Sequence, residues 1–410
     1  MTYDFDRIPD RIHSYSIKWR EAAALSEGAL FDENGETNYK NPGLCLPFNV
    51  ADMDLICPQP LIDKMHEVAD HGIYGYSFQA SVPEYYDSII SWYRRRFGVT
   101  LQRDWLMFSN GTVEAVAHAV RAFTNVGDGV ILCRPVYGHF TGCIEEECYR
   151  KVVNSQLICQ DGYYTVDWAD FEQKCAVPTN RLFVLCSPAN PVGRVWSPEE
   201  LQRMYEICKK HHVLMLSDEI HCDIILKGHR HTTMLSATDD YSNLIVVSGI
   251  NKTFNVAGLS CSTVIIPDAT LRGVFQKDFG MRPITPFAIG ALIAAYNDCD
   301  DWLEQMLDYV EANVDAAIDF LHRRMPKVRV RKPEGTYILW LDFSAYGLSA
   351  DEIHDRIYNR ARVKLQDGLV HDPVHGGQFQ RLCVPCARKL LMEGLERIAA
   401  QFESSPTLSD

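Results

Sequence analysis

The chain has 410 residues, and at roughly 150 residues per domain this predicts two to three domains with ample cores, which excludes a disulfide-stapled miniprotein. Hydrophobic residues make up 47% and charged residues 23%, ordinary globular usage that excludes a mainly disordered or collagen-like chain. Lys plus Arg total 40 against 54 Asp plus Glu, and the resulting net charge of −14 argues against nucleic acid as a partner.

The start, MTYDFDRIPD, has no basic segment followed by an apolar core, and no apolar run approaches the roughly 18 residues of a membrane span. The expectation is a soluble, cytoplasmic protein with no membrane partner. The first 50 residues hold little periodic structure, although PFNVADMDL (47–55) is rich in turn residues. Between about 105 and 267, short β-rich runs alternate with helical stretches: LMFS (106–109), VILC (130–133), RLFVLC (181–186), VLMLS (213–217), LIVVS (244–248) and STVIIP (262–267). This recurrence predicts an α/β sheet with buried strands. Ser197, Pro198 and Glu200 form a capping box before LQRMYEICKKH, so Glu200 reads as structural rather than catalytic. A periodic stretch from Asp301 to Arg324 predicts a helix ending before Pro326, and YILWLDF (337–343) a strand opening a second α/β unit, with a boundary near 285–300. The last seven residues, SSPTLSD, read as a frayed end. The 14 cysteines are scattered through apolar runs such as LFVLC and GVILC, which predicts reduced, buried packing residues.

Several strands end in polar residues at the same phase, where open α/β sheets bind ligands. Asn190 follows RLFVLC, Asp218 follows VLMLS and Lys252 follows LIVVS. A buried Lys can bond covalently to an aldehyde cofactor while a nearby carboxylate keeps a pyridine nitrogen protonated. Those are the requirements of pyridoxal 5′-phosphate. In this reading Asp218 makes the ring an electron sink, Asn190 donates to the phenolic oxygen, and Tyr137 stacks on the ring. The phosphate needs N–H donors, and SNGTVEAVAHAVRAF (109–123) offers a strand end, a Gly turn and a helix start, with the amides of Gly111, Thr112 and Val113 as the cradle.

NPVGRVW (190–196), SDEIHCD (217–223), NKTFNVAGL (251–259) and PEGTYILWLDF (333–343) resemble the fold-type I pyridoxal-phosphate enzymes of the class I/II aminotransferase superfamily. Within them, NVADMD (49–54), YGYS (74–77), PVY (135–137) and GHRHT (228–232) resemble the MalY/PatB-type cystathionine β-lyase branch. The resemblance implies a large domain with a mainly parallel seven-stranded sheet (51–290), a smaller α/β C-terminal domain (291–410) and an N-terminal segment (1–50) packing with it. It also implies a homodimer with active sites shared at the subunit interface. Lys252 resembles the cofactor-bonding lysine, Asp218 the pyridine-nitrogen partner and Asn190 the phenolic-oxygen donor. His221 stands where many relatives have a Tyr, and Tyr137 matches the stacking position. Tyr76, expected to be catalytic together with Lys252, resembles the Tyr that reaches the neighbouring subunit's cofactor. Arg381 resembles the bidentate clamp of the substrate carboxylate, to which Ala51 would offer a backbone amide.

Three departures stand out. SGIN precedes the lysine where many relatives place Ser next to it or three residues before it, so Ser248 becomes an offset phosphate-contact candidate. Ser260 replaces an Arg found in many aminotransferases, which fits the lyase branch. Cys383 replaces a usual Asn after Arg381. Cys383 and Cys386 form a C-x-x-C pair, but no second pair accompanies it, so packing is preferred over a redox or metal role. His229 and His231 likewise carry no metal expectation, and the metal expectation overall is none. The implied activity is β-elimination of a small amino-acid substrate, an L-cysteine S-conjugate such as cystathionine. A class I/II aminotransferase is the alternative, and a regulator binding a protein partner on the same scaffold is a second. The distal substrate pocket is expected from 20–48 and from 366–380, the latter closing over the site.

Overall fold

The computed structural model describes residues 1–280 and 282–403, so the predicted frayed end at 404–410 lies outside the described residues. The apolar runs become strands of one sheet: β1 (Leu106–Ser109), β2 (Gly129–Leu132), β3 (Lys151–Asn154), β4 (Asn180–Cys186), β5 (Leu214–Asp218), β6 (Leu244–Gly249) and β7 (Ser262–Ile265). Their order is β1-β7-β6-β5-β4-β2-β3, and only β7 runs antiparallel to its neighbours. The central strands are apolar on both sides because each face is covered. Phe183, Leu185, Met215 and Val246 enter one core, while Leu182, Val184, Leu216 and Val247 enter the other. Sequence reading passed over β3, a four-residue edge strand whose first residue, Lys151, is exposed.

Helix Pro198–Lys210 starts as its capping box predicts. Ser197 Oγ accepts from Glu200 N at 3.2 Å, and Glu200 Oε2 accepts from Ser197 N at 2.9 Å. Glu200 also pairs with Arg194 at 2.8 Å, which confirms its structural role.

Beyond helix Pro286–Asp298, the long helix spans Asp300–Arg324 and packs on helix Arg388–Phe402. Three antiparallel strands accompany them, β8 (Ile338–Asp342), β9 (Gln366–Asp367) and β10 (Phe379–Cys383), in the order β8-β10-β9. The chain start lies against this unit: Phe5 meets Trp302 edge-on at 5.9 Å, and Leu46–Pro47 pairs in parallel with Val363–Lys364. Residues 366–376 reach back to the main sheet. The His371 ring nitrogen Nδ1 lies 3.1 Å from Val136 O, and Val136 N donates to His371 O at 3.3 Å. Gly138 permits this approach, since a Cβ there would stand 2.3 Å from Val370 O. Gly111, Tyr137, Asn190, Asp218 and Lys252 all fall at or just beyond the carboxyl ends of parallel strands, on one edge of the sheet.

Candidate active site

Lys252 sits in the four-residue helix Ile250–Thr253 that follows β6. The turn needs Gly249, because a Cβ there would meet Cys261 O at 2.7 Å and Ser262 Cα at 3.0 Å. Behind it, Thr253 Oγ1 and Trp92 Nε1 donate to the buried carboxylate of Asp223 at 3.1 and 3.2 Å, which anchors the helix. Lys252 Nζ donates to Ala51 O at 2.7 Å. Burial draws the Lys252 pKa down, and the Asp52 carboxylate is the strongest charge opposing that fall.

Asp218 ends β5, buried, accepting from Ile220 N at 3.1 Å and from the Thr112 hydroxyl. It forms no ion pair among the described residues. Burial, with the Glu219 charge adding to it, pushes its pKa up to about 7. His221 is also buried and is driven the other way, down to about 3, by burial and then by the Lys252 and Arg381 charges. Its ring is therefore neutral at pH 7. His221 Nδ1 has no hydrogen-bond partner among the described residues, and the ring meets Tyr337 edge-on at 5.4 Å. Burial raises Tyr137 to about 12, with Arg381 and Asp218 both acting on its hydroxyl.

Across from these, Arg381 on β10 is 2% exposed and lies in register with Trp340 and Gln366, so the three side chains share a face. One terminal nitrogen donates to Asn190 Oδ1 at 3.3 Å and the other to Asn49 O at 2.6 Å. Its Nε has no partner, and no carboxylate pairs with it among the described residues. Tyr337 Oη donates to Ala51 O at 3.0 Å. Residues 49–55 thus form a strap that touches both Lys252 and Arg381.

The structure brings together Lys252, Asp218, Asn190, His221, Tyr137, Arg381 and Ala51, the last through its carbonyl. Gly111 precedes helix Thr112–Phe123, and Thr112 and Val113 open it; the first-turn amides have no intrahelical acceptor, no N-cap side chain supplies one, and the Gly111 amide reaches Ser109 Oγ at 3.5 Å. Ser248 is the correction. Asp218 pairs with Val247 in the sheet, so Ser248, one residue on, points to the opposite face. Its hydroxyl donates to Glu219 O at 3.3 Å and lies 3.5 Å from Cys222 Sγ, away from the helix start. Tyr76 is 94% exposed on the single chain and is not brought to these residues. Sequence reading missed Asn49, Asp52 and Tyr337. Asn49 and Asp52 flank Ala51 in the NVADMD motif, whereas Tyr337 acts across 286 positions and left no local signal.

The C-x-x-C pair is packing: Cys383 and Cys386 are free and buried, and burial raises both thiols. All 14 cysteines are free, and all but Cys57 and Cys159 are buried. Among the described residues no group of three or more His, Cys, Asp or Glu could hold a metal ion, and no helix is long and apolar enough to cross a membrane.

The family model for class I and II aminotransferases matches residues 45–398, and the chain belongs to that family. It is 38% identical over 402 residues to the cystathionine β-lyase PatB of Bacillus subtilis, covering 97% of this chain and 99% of the relative. Among solved structures, cystalysin from Treponema denticola, which contains a pyridoxal 5′-phosphate cofactor, superimposes with a TM-score of 0.90 at 31% identity, over 98% of this chain and 99% of that one. The pyridoxal-phosphate-bound C-S lyase of Staphylococcus hominis, complexed with L-cycloserine, gives 0.87 at 30% identity, over 98% of each chain.

Proposed function

We propose that the protein is a pyridoxal 5′-phosphate-dependent carbon–sulfur β-lyase that cleaves L-cystathionine or a related L-cysteine S-conjugate to a thiol, pyruvate and ammonia. The observation that carries this reading is a buried, polar set whose hydrogen bonds and charges are only partly met within the described residues. Among the described residues Asp218 forms no ion pair, His221 Nδ1 and Arg381 Nε have no hydrogen-bond partner, and the start of helix Thr112–Phe123, with no side-chain cap from its N-cap residue, opens beside them. Buried groups of this kind are costly unless a ligand completes them.

These residues fit the cofactor. Lys252 would bond to it, Asp218 would pair with its ring nitrogen, and Asn190 and His221 would flank its phenolic oxygen. Tyr137 would cover the ring face, and the amides of Gly111, Thr112 and Val113 would receive its phosphate. When bound, pyridoxal phosphate supplies an aldehyde that joins an amine covalently and a ring that draws electrons from the amino acid's Cα. A pKa near 7 in the free site suits Asp218 to gain its charge against a protonated ring nitrogen. Arg381 receives the substrate carboxylate on its guanidinium edge, in competition with no protein carboxylate. Lys252 Nζ, freed when the substrate amine takes its place and made less basic by burial, would take the Cα proton; the C–H electron pair would form a Cα–Cβ double bond as the β-carbon–sulfur bond breaks with its own pair leaving on the thiolate. His221 stays neutral and adds no third positive charge beside Lys252 and Arg381. The reading includes a cytoplasmic homodimer in which exposed Tyr76 completes the neighbouring site.

The test is incubation with cystathionine without any keto acid, following pyruvate and free thiol. Release of both supports the lyase. Absence of both, with amino transfer only when a keto acid is added, makes the protein an aminotransferase instead.

A further inference from the structure

The strap is held by a charge cluster that the reaction as described leaves unused. Asp52 accepts from Arg11 at 2.6 Å and lies 3.5 Å from Lys18 Nζ, while Lys18 Nζ also binds Asp54 at 2.7 Å. Arg11 bonds Asp54 as well, and Trp19 Nε1 donates to Asp54 Oδ1 at 2.8 Å. On the other side, Asn255, three residues after Lys252, accepts from Met53 N at 3.0 Å and donates to Met53 O at 3.1 Å and Leu55 O at 2.8 Å. Asp54 is saturated by these contacts. Asp52 is held more loosely: its Oδ1 meets Lys18 Nζ only as an ion pair at 3.5 Å and makes no hydrogen bond among the described residues. The residue before it, Ala51, carries the carbonyl that receives Lys252 Nζ.

Resting on the cofactor reading above, we infer that Asp52 is a positioning residue whose carboxylate, held by Arg11 and Lys18, sets the charge state of Lys252 through the strap. The charged and titratable groups facing Lys252 are Asp52 from the strap, Arg381 and the neutral thiol of Cys383 from β10, and Asp218 from β5, with neutral His221 beside it. Asp52 follows directly on Ala51, whose carbonyl holds Lys252 Nζ at 2.7 Å, so its carboxylate, fixed by Arg11 and Lys18, is carried on the same strap. Asp52 itself is faced by Lys18, Arg11 and Lys252. The N-terminal residues 11–18 thus act on the reacting nitrogen without touching substrate. Arg11 moderates the Asp52 charge, so removing either partner changes the field at Lys252 in opposite senses.

The test is a pH titration of the holoenzyme's absorbance near roughly 420 nm, the band of the cofactor bonded through Lys252. Asp52→Asn lowers the midpoint by about one unit. Arg11→Gln, which removes the positive charge bonded to Asp52, raises it. Asp54→Asn removes a charge of the same cluster that lies three residues beyond Ala51; it lowers the melting temperature and moves the midpoint by less than half as much. Asp52→Glu restores the wild-type direction. An unmoved or raised midpoint in Asp52→Asn, or shifts of the same sign in Asp52→Asn and Arg11→Gln, overturns the inference. If Asp52→Asn does not fold, Arg11→Gln decides alone, and an unmoved or lowered midpoint refutes the role. A wild-type protein with no band at all would instead refute the cofactor reading.

Discussion

The floor of the site and the strap across it are built on opposite terms. The floor, at the ends of β2, β4, β5 and β6, keeps charged and polar groups short of partners: Asp218 has no cation and His221 Nδ1 is open. The strap is tied down by charge, with Arg11, Lys18 and Trp19 on one side and the Asn255 amide on the other, and leaves only the buried Asn49 Oδ1 and Asp52 Oδ1 without a hydrogen bond among the described residues. Withheld partners leave binding free energy available to a ligand and destabilise the empty fold. Supplied partners give position. Arg381 stands where the two meet, bonded to Asn190 of the floor and to Asn49 of the strap.

The sharpest break of that contrast is Lys252→Ala. It should abolish the absorbance near roughly 420 nm and lower turnover by about 10³-fold or more, with the melting temperature of the cofactor-free protein little changed. Spectra and pyruvate release check it together. Arg381→Lys keeps the charge and loses the fork, so kcat/KM should fall by about 30-fold, equivalent to about 2 kcal/mol, carried mainly by KM. Steady-state kinetics on an S-conjugate measure this.

Asp218→Asn should act on stability in the reverse direction. The folded pKa, about 7, lies above the ordinary 3.8, so between these values the folded state holds the proton more tightly. Stability from this group is therefore present below about 4 and lost as pH rises to 7. The cofactor-free Asn variant should be more stable than wild type at pH 8 by about 0.5–2 kcal/mol, with the difference vanishing near pH 4. His221 works oppositely. Its folded value, about 3, lies below 6.5, so the unfolded chain gains protons and stability falls as pH drops through that window. Because both variants retain His221, urea unfolding of the pair isolates Asp218.

The residues along the chain by themselves determined the sheet and the floor. Buried strands need unbroken apolar runs, and the polar residues that end them, Asn190, Asp218 and Lys252, stand beside those runs in local sequence. The capping box at Ser197 and Glu200 was legible for the same reason: both partners lie within one helical turn. Edge strand β3 was not, because its two valines stand between an exposed Lys151 and Asn154, too short an apolar run to read as a strand. Ser248, taken as an offset phosphate contact from the family pattern before the lysine, lies one residue beyond Val247, the sheet partner of Asp218, and so turns to the other face, which only the register shows. Only the tertiary structure decided the strap. The contacts of Ala51 with Lys252 and Tyr337, of Asn49 with Arg381, and of Asp52 with Arg11 and Lys18 join segments far apart in the chain through backbone carbonyls and ion pairs. Such contacts have no period or spacing to read, since they exist only once separate elements are packed against one another.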